Sequence, residues 1–304
     1  MDRNHWFQQF FHNQLQTLAL LAFVVGYLAL LGWLVWGSSG LWLVALAFVV
    51  LAGSSVSPQQ VMRWHRAQPL SAHQAPQLYH LLQQLTERAH LPRVPDLYYL
   101  PDRQANAFAV GSPDRSAIAV SDGLIRLLSH DEWAGVLAHE LSHIQQRDLQ
   151  VLRLSDLANR FTQILSSMTM LMIVISMPML LFSNASLNLG VVLLVMGAPM
   201  LSSLAHLAIS RVREYAADLN AARLIGDPQG LASALIKLEG AQQRWWNVFR
   251  LPRPAELGLL RTHPPLQQRI DRLMALLPEG ARRYRTRPMN QPHVFQSQRP
   301  WWLS

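Results

Sequence analysis

Residues 139–143 read His139-Glu140-Leu141-Ser142-His143. On a helix, positions i and i+4 point to one face, so the two imidazoles can hold one metal ion at about 2.0–2.1 Å each. Glu140 follows the first histidine. It has the reach of a general base toward water at that ion and of a proton donor to a leaving amine. The chain contains no cysteine. That excludes disulfides, thiolate zinc sites, iron–sulfur centres and a cysteine nucleophile. Any metal must therefore be held by His, Asp or Glu.

Around the motif, Glu132–Asp148 reads as an amphipathic helix capped by Asp131, with Trp133, Val136 and Leu137 on its buried face. Asp131, Glu132, Arg147 and Asp148 bracket the histidines, so the motif does not lie deep in a bilayer. Farther out, charge disappears. No Asp, Glu, Lys or Arg occurs from Leu15 to Val56 or from Thr162 to Ser210. Over all 304 residues only 14% are charged, against about 25% for a soluble domain. A single soluble globule is excluded. Leu15–Trp36, Leu41–Val56, Phe161–Phe182 and Leu187–Ile209 read as four membrane-spanning helices in two hairpins, turning at Gly37–Gly40 and Ser183–Ser186. The first is too long for a signal-peptide core and reads as an uncleaved anchor.

Both hairpin turns are uncharged, while arginines such as Arg63, Arg66, Arg153, Arg160, Arg211 and Arg213 flank the spans. The positive-inside rule then puts both termini and both polar segments in the cytoplasm. The net charge of +8 resides in residues 211–304, with 15 basic and 7 acidic groups. It reads as a determinant of orientation rather than a nucleic-acid surface.

In the first polar segment, Ala75–Ala89 has leucines at helical spacing, and Asp96–Leu100, Ala107–Val110 and Ala117–Val120 read as strands, the last two about the Gly111–Asp114 turn. The fold class is α+β: mostly helical with a small sheet, combined with four transmembrane helices. The segments expected are 1–56 (first hairpin), 57–160 (first catalytic half), 161–209 (second hairpin), 210–280 (second catalytic half) and 281–304 (basic tail).

A catalytic zinc needs a third protein ligand and an open position. Glu214-Tyr215-Ala216-Ala217-Asp218, on a helix continuing the last span, offers one. Glu214 can bind the metal, and Asp218 can accept from the far nitrogen of a ligating histidine. With Arg211, Arg213 and Arg223 nearby, the same segment also reads as a solvated ion-pair face.

Five blocks taken in order carry a resemblance. They are Gln104–Gly111, Ala119–Leu124, the motif helix to Asp148, Ser210–Asp218 and Thr262–Ile270. With the four apolar runs, this arrangement resembles the HtpX-type membrane zinc metalloprotease family over roughly residues 57–280. The resemblance implies a zincin-like fold with one zinc ion per chain, ligands His139, His143 and Glu214, and Glu140 as base. It implies that Asn106, Ala107 and Phe108 belong to an edge strand that holds the substrate backbone. It also places His263 and Arg269 near the active site, able to bind the substrate or the tetrahedral intermediate.

The function expected is endopeptidase action at the cytoplasmic face of the inner membrane, on membrane or membrane-proximal proteins in quality control. The alternatives are a protease of prenylated C-termini, or a non-enzymatic adaptor with a structural zinc. One geometric conflict follows. Glu214 is five residues beyond Ile209, whereas His143 is 19 residues before Thr162. Straight parallel helices cannot bring both to one ion. The helix after the motif must tilt or break between Gln145 and Arg160, or the last span must project well beyond the membrane.

Overall fold

The computed structural model describes residues 3–53, 57–182, 188–248 and 264–277. His263, the turn at 183–186 and the tail 281–304 lie outside the described residues. The chain opens with a hairpin, α1 (Arg3–Trp36) and α2 (Ser38–Gly53). The expected four-residue turn is compressed to Gly37, which adopts φ +62°, a conformation that favours glycine. The helices then touch closely, since a Cβ on Gly40 would overlap the Gly32 carbonyl.

Among the described residues, three helices are long and apolar enough to cross a membrane: Trp6–Trp36, Asp148–Pro178 and Leu189–Ile225. The count of four expected from sequence is not reached. Helix α2 has 16 residues, about 24 Å of helix against a hydrocarbon core of about 30 Å.

The first polar segment folds as α3 (Pro58–Trp64), β1 (Gln68–Pro69), α4 (Pro76–Arg88), β2 (Asp96–Leu100), β3 (Ala107–Ser112), β4 (Arg115–Ser121) and α5 (Asp122–Ile125). The strands form one mixed sheet in the order β1-β2-β4-β3. β2 and β4 are parallel and β3 is antiparallel to β4, with Ala107 opposite Val120. Both strands of this hairpin run longer than expected, so its turn is only Pro113-Asp114. β3 forms one edge of the sheet.

The motif helix is α6 (His130–Gln145). Its cap is not Asp131, whose side chain is exposed. Ser129 takes that place, and its N–H donates to Glu132 Oε2 at 2.8 Å. Glu132 is also held by Ser233 and Lys237, which makes a box with the preceding serine the better-satisfied start. Trp133, Leu137, Leu141 and Ile144 are buried in the main core with Leu78, Leu82, Ile118 and Leu231.

The helix breaks after the motif, and the last apolar run continues as helix past Ile209. α6 ends at Gln145, Arg147 adopts φ +55°, and α7 (Asp148–Phe182) starts at the next residue. α8 (Leu189–Ile225) continues unbroken past Ile209 and stops at Gly226, φ +75°. Its last 16 residues beyond Ile209, about 24 Å, carry Glu214 into the core of the catalytic half. α9 (Pro228–Val248) and α10 (Leu266–Ala275) close the unit. On α10 the buried positions are Arg269 and Leu273, so Arg269 turns inward beside a core leucine.

Candidate active site

α6 and the extension of α8 converge on three side chains. His139, His143 and Glu214 are 8%, 6% and 7% exposed, and each offers an atom within 4.8 Å of the others. The Nε2 atoms of His139 and His143 are 3.2 Å apart. Glu214 Oε2 is 3.5 Å from His139 Nε2, and Oε1 is 3.8 Å from His143 Nε2. Ligands about 2.05 Å from a tetrahedral ion stand about 3.3 Å apart. Two imidazoles and a carboxylate at this spacing fit such an ion. The solvated ion-pair reading of Glu214 and Asp218 does not hold, because both are buried.

Each histidine has a carboxylate behind it. His143 Nδ1 is 2.9 Å from Asp148 Oδ2, and His139 Nδ1 is 3.1 Å from Asp218 Oδ1. Carboxylates there direct the ring hydrogen to Nδ1 and leave Nε2 free to ligate. Asp218 is in turn gripped by Arg269, whose Nε and Nη2 donate to its two oxygens at 2.7 and 2.6 Å. Arg269 Nη2 is also 3.4 Å from Glu214 Oε2. Asp148 pairs with the buried Arg213, which also donates to Gln146 at 3.0 Å and to Gln14 of α1 at 3.2 Å. Arg213 was expected among the charges flanking a span; it is also the buried partner of Asp148, behind His143. Asn220 Nδ2 donates to Ser142 Oγ and Gln145 Oε1, pinning α8 onto α6.

The electrostatics follow from this crowding. Burial opposes charge on His139, but hydrogen bonds to Asp218 and Glu214 and the field of both carboxylates win, raising its pKa to about 10. Burial likewise opposes the Arg269 cation, and Asp218 and Glu214 more than offset it, so its pKa is raised further.

A cavity of about 160 Å³ opens beside His139, lined by Glu140 and Glu214, by Asn106 and Ala107, and by Arg269. Its apolar wall is Leu231, Leu235 and Leu238 of α9. Asn106 precedes β3, donating its N–H to Ser121 Oγ at 2.8 Å and accepting from Ser121 N–H at 3.0 Å. The alternation of an antiparallel pair then turns the main-chain groups of Ala107, Ala109 and Gly111 to the open edge. Phe108 faces away from this cavity, against His65 at 5.0 Å.

The structure thus brings together His139, Glu140, His143, Glu214, Asp218, Arg269, Asn106 and Ala107. It leaves Phe108 outside the cavity, and His263 lies outside the described residues. Sequence reasoning missed Asp148 and Arg213 as partners of the histidines, and it gave no reading of the α9 wall. Leu231, Leu235 and Leu238 carry a helical i, i+4, i+7 signal. The Asp148–Arg213 pair carries none, because it depends on the break at Arg147.

Comparison with known proteins agrees with this geometry. Residues 72–277 match peptidase family M48. The protease HtpX homolog of Trichormus variabilis is 40% identical over 248 residues, covering 76% of this chain and 82% of that protein. The protease HtpX homolog of Acaryochloris marina is 35% identical over 89% of this chain and 97% of its own length. That of Pyrococcus abyssi is 33% identical over 85% and 94%. Among solved structures, S. mikatae Ste24p overlays with a TM-score of 0.46 and 20% identity, over 88% of this chain and 66% of that one.

Proposed function

The chain belongs to peptidase family M48 and is a membrane metalloprotease, and we propose that it uses one zinc ion held by His139, His143 and Glu214. The observation that carries this reading is the buried convergence of these three residues beside Glu140 and an open cavity. Zinc there supplies Lewis acidity to a water molecule and to the scissile carbonyl. Glu140 accepts the proton of the attacking water and passes it to the amide nitrogen as the bond breaks. Asp148 and Asp218 hold the rings in the ligating tautomer. Arg269 keeps Asp218 ionised and brings positive charge to the cavity where the oxyanion develops.

The substrate lies extended along the open edge of β3, where Ala107 presents its main chain next to the metal. The family resemblance assigns His263, with Arg269, to binding of the substrate or the tetrahedral intermediate.

The protein crosses the inner membrane four times, with α2 completing its span through interfacial residues. Both termini and the catalytic domain face the cytoplasm, as the placement of the arginines supports. Its substrates are membrane proteins, in quality control. The test is Glu140→Gln in purified protein. Zinc content stays near one per chain while casein cleavage falls by at least about 10²–10⁴-fold, the usual worth of a general base. Full cleavage by the zinc-loaded variant overturns the mechanism.

A further inference from the structure

A second cavity, of about 550 Å³, lies at the far end of β3. Gly111 and Ser112 form its floor, Trp64 of α3 one wall, Leu149 and Arg153 of α7 the other, and Arg115 joins them. β3 therefore borders both cavities, with Ala107 at the metal and Gly111 here. These residues are four positions apart, about 13 Å along a strand. A peptide paired to the open edge would deliver to this cavity the residue about four positions from the scissile bond.

The cavity's charge is one-sided: Arg115 and Arg153 line it, and no Asp or Glu is among its described lining residues. Its floor is fixed. Gly111 has φ +107°, and a Cβ there would sit 2.9 Å from Pro58 Cγ and overlap the Arg115 carbonyl. The strand end is thus clamped beneath α3. Its depth is fixed as well. Arg213 ties Asp148, the neighbour of Leu149, to Gln14, and the uncharged run of α1 starts at the next residue, Leu15. The cavity therefore stands where the apolar surface of the first span begins, between α7, which becomes a membrane helix, and α3, which follows α2.

We propose that this cavity is a distal substrate subsite that selects an acidic side chain about four residues from the cleaved bond, in juxtamembrane segments of substrates. The inference rests on the proposed pairing of substrate along β3. Opposed charges in a half-open cleft give about fivefold discrimination, weakening with salt.

The experiment uses full-length, zinc-loaded protein in detergent and fluorogenic peptides built around a bond mapped by mass spectrometry of casein products. The residue four positions before or after the bond is set to Glu or Lys, and a truncated pair lacks that position. The readout is the Glu-to-Lys ratio of kcat/KM within each enzyme. The expected ratio is about five on one side of the bond and about one for the truncated pair. It inverts in R115E/R153E, or falls toward one in R115Q and R153Q should the double variant not fold. A ratio near one in the wild type, or one unchanged by the substitutions, overturns the subsite. So does a charge effect that appears only with phosphatidylglycerol vesicles and not with peptide sequence, which assigns the arginines to lipid. Cleavage that survives Glu140→Gln instead defeats the proposed catalytic reading itself. Glu140-dependent cleavage without selectivity defeats the subsite alone.

Discussion

His143 and Asp148 belong to different helices, yet Nδ1 of the one lies 2.9 Å from Oδ2 of the other across the break at Arg147. The first residue of α7 thereby orients the ring of His143, a proposed zinc ligand. Asp148→Asn keeps the shape and removes the charge. The expected loss is about 10–100-fold in metal affinity, the usual cost of deleting an outer-shell partner. Competition with a chelator of known affinity measures it, and wild-type affinity would show that Asp148 does not tune His143.

Arg213 is the counterpart that makes a buried Asp148 tolerable, and both are almost fully enclosed, at 2% and 0% side-chain exposure. Removing one member of a buried pair costs about 3–5 kcal/mol, because the other charge is stranded, whereas replacing both costs much less. Arg213→Met should therefore lower the unfolding temperature in detergent sharply. The double variant Asp148→Asn/Arg213→Met should recover much of that loss. Additive losses would mean that the two side chains act independently.

His139 gives a pH signature. Its pKa is raised from the ordinary 6.5 to about 10 by Asp218 and Glu214 against the cost of burial. A raised value stabilises the chelator-treated fold fully below pH 6.5 and loses that contribution as pH climbs through about 10. A metal ion at Nε2 takes the place of that proton. Zinc added at pH 8 should release about one proton from this residue, and the release should vanish above pH 10. Calorimetry in buffers of different ionisation enthalpy counts it. No release at pH 8 would show that His139 is neutral before the metal arrives.

The convergence of His139, His143 and Glu214 was partly legible because a helix writes its geometry into spacing: His139 and His143, and Glu214 and Asp218, are each i and i+4. β2, β3 and β4 were legible from apolar and aromatic runs, though the turn expected over Gly111–Asp114 shrinks to Pro113-Asp114, and β1 has no sequence signal at two residues. The pairing of Asp148 with His143 was not legible. On a continuous helix, residues five apart diverge in direction, and only the positive φ of Arg147 folds one back toward the other. The cap of α6 was missed because Asp131 and Ser129 are both good caps in sequence. Tertiary contacts of Glu132 with Ser233 and Lys237 decide between them. The burial of Arg269 could not be read because a helix N-terminus rich in glutamine and arginine looks solvated until Asp218 is placed opposite it.

The open edge of β3 provides the last test. Ala107 is the first residue of the strand, its main-chain N–H faces outward, and the residue lines the cavity beside His139 and Glu140. Proline is tolerated at the first residue of an edge strand, where no ladder bond is lost. Ala107→Pro should therefore fold and bind metal normally while withholding one N–H from the substrate. A single hydrogen bond of about 0.5–1.5 kcal/mol corresponds to a fall in kcat/KM of about 2–12-fold. The loss should fall on extended peptides, with the zinc content and the pH profile unmoved. Unchanged cleavage by a folded Ala107→Pro variant would mean that the substrate backbone is held elsewhere, since β3 would then offer nothing at the residue nearest the metal.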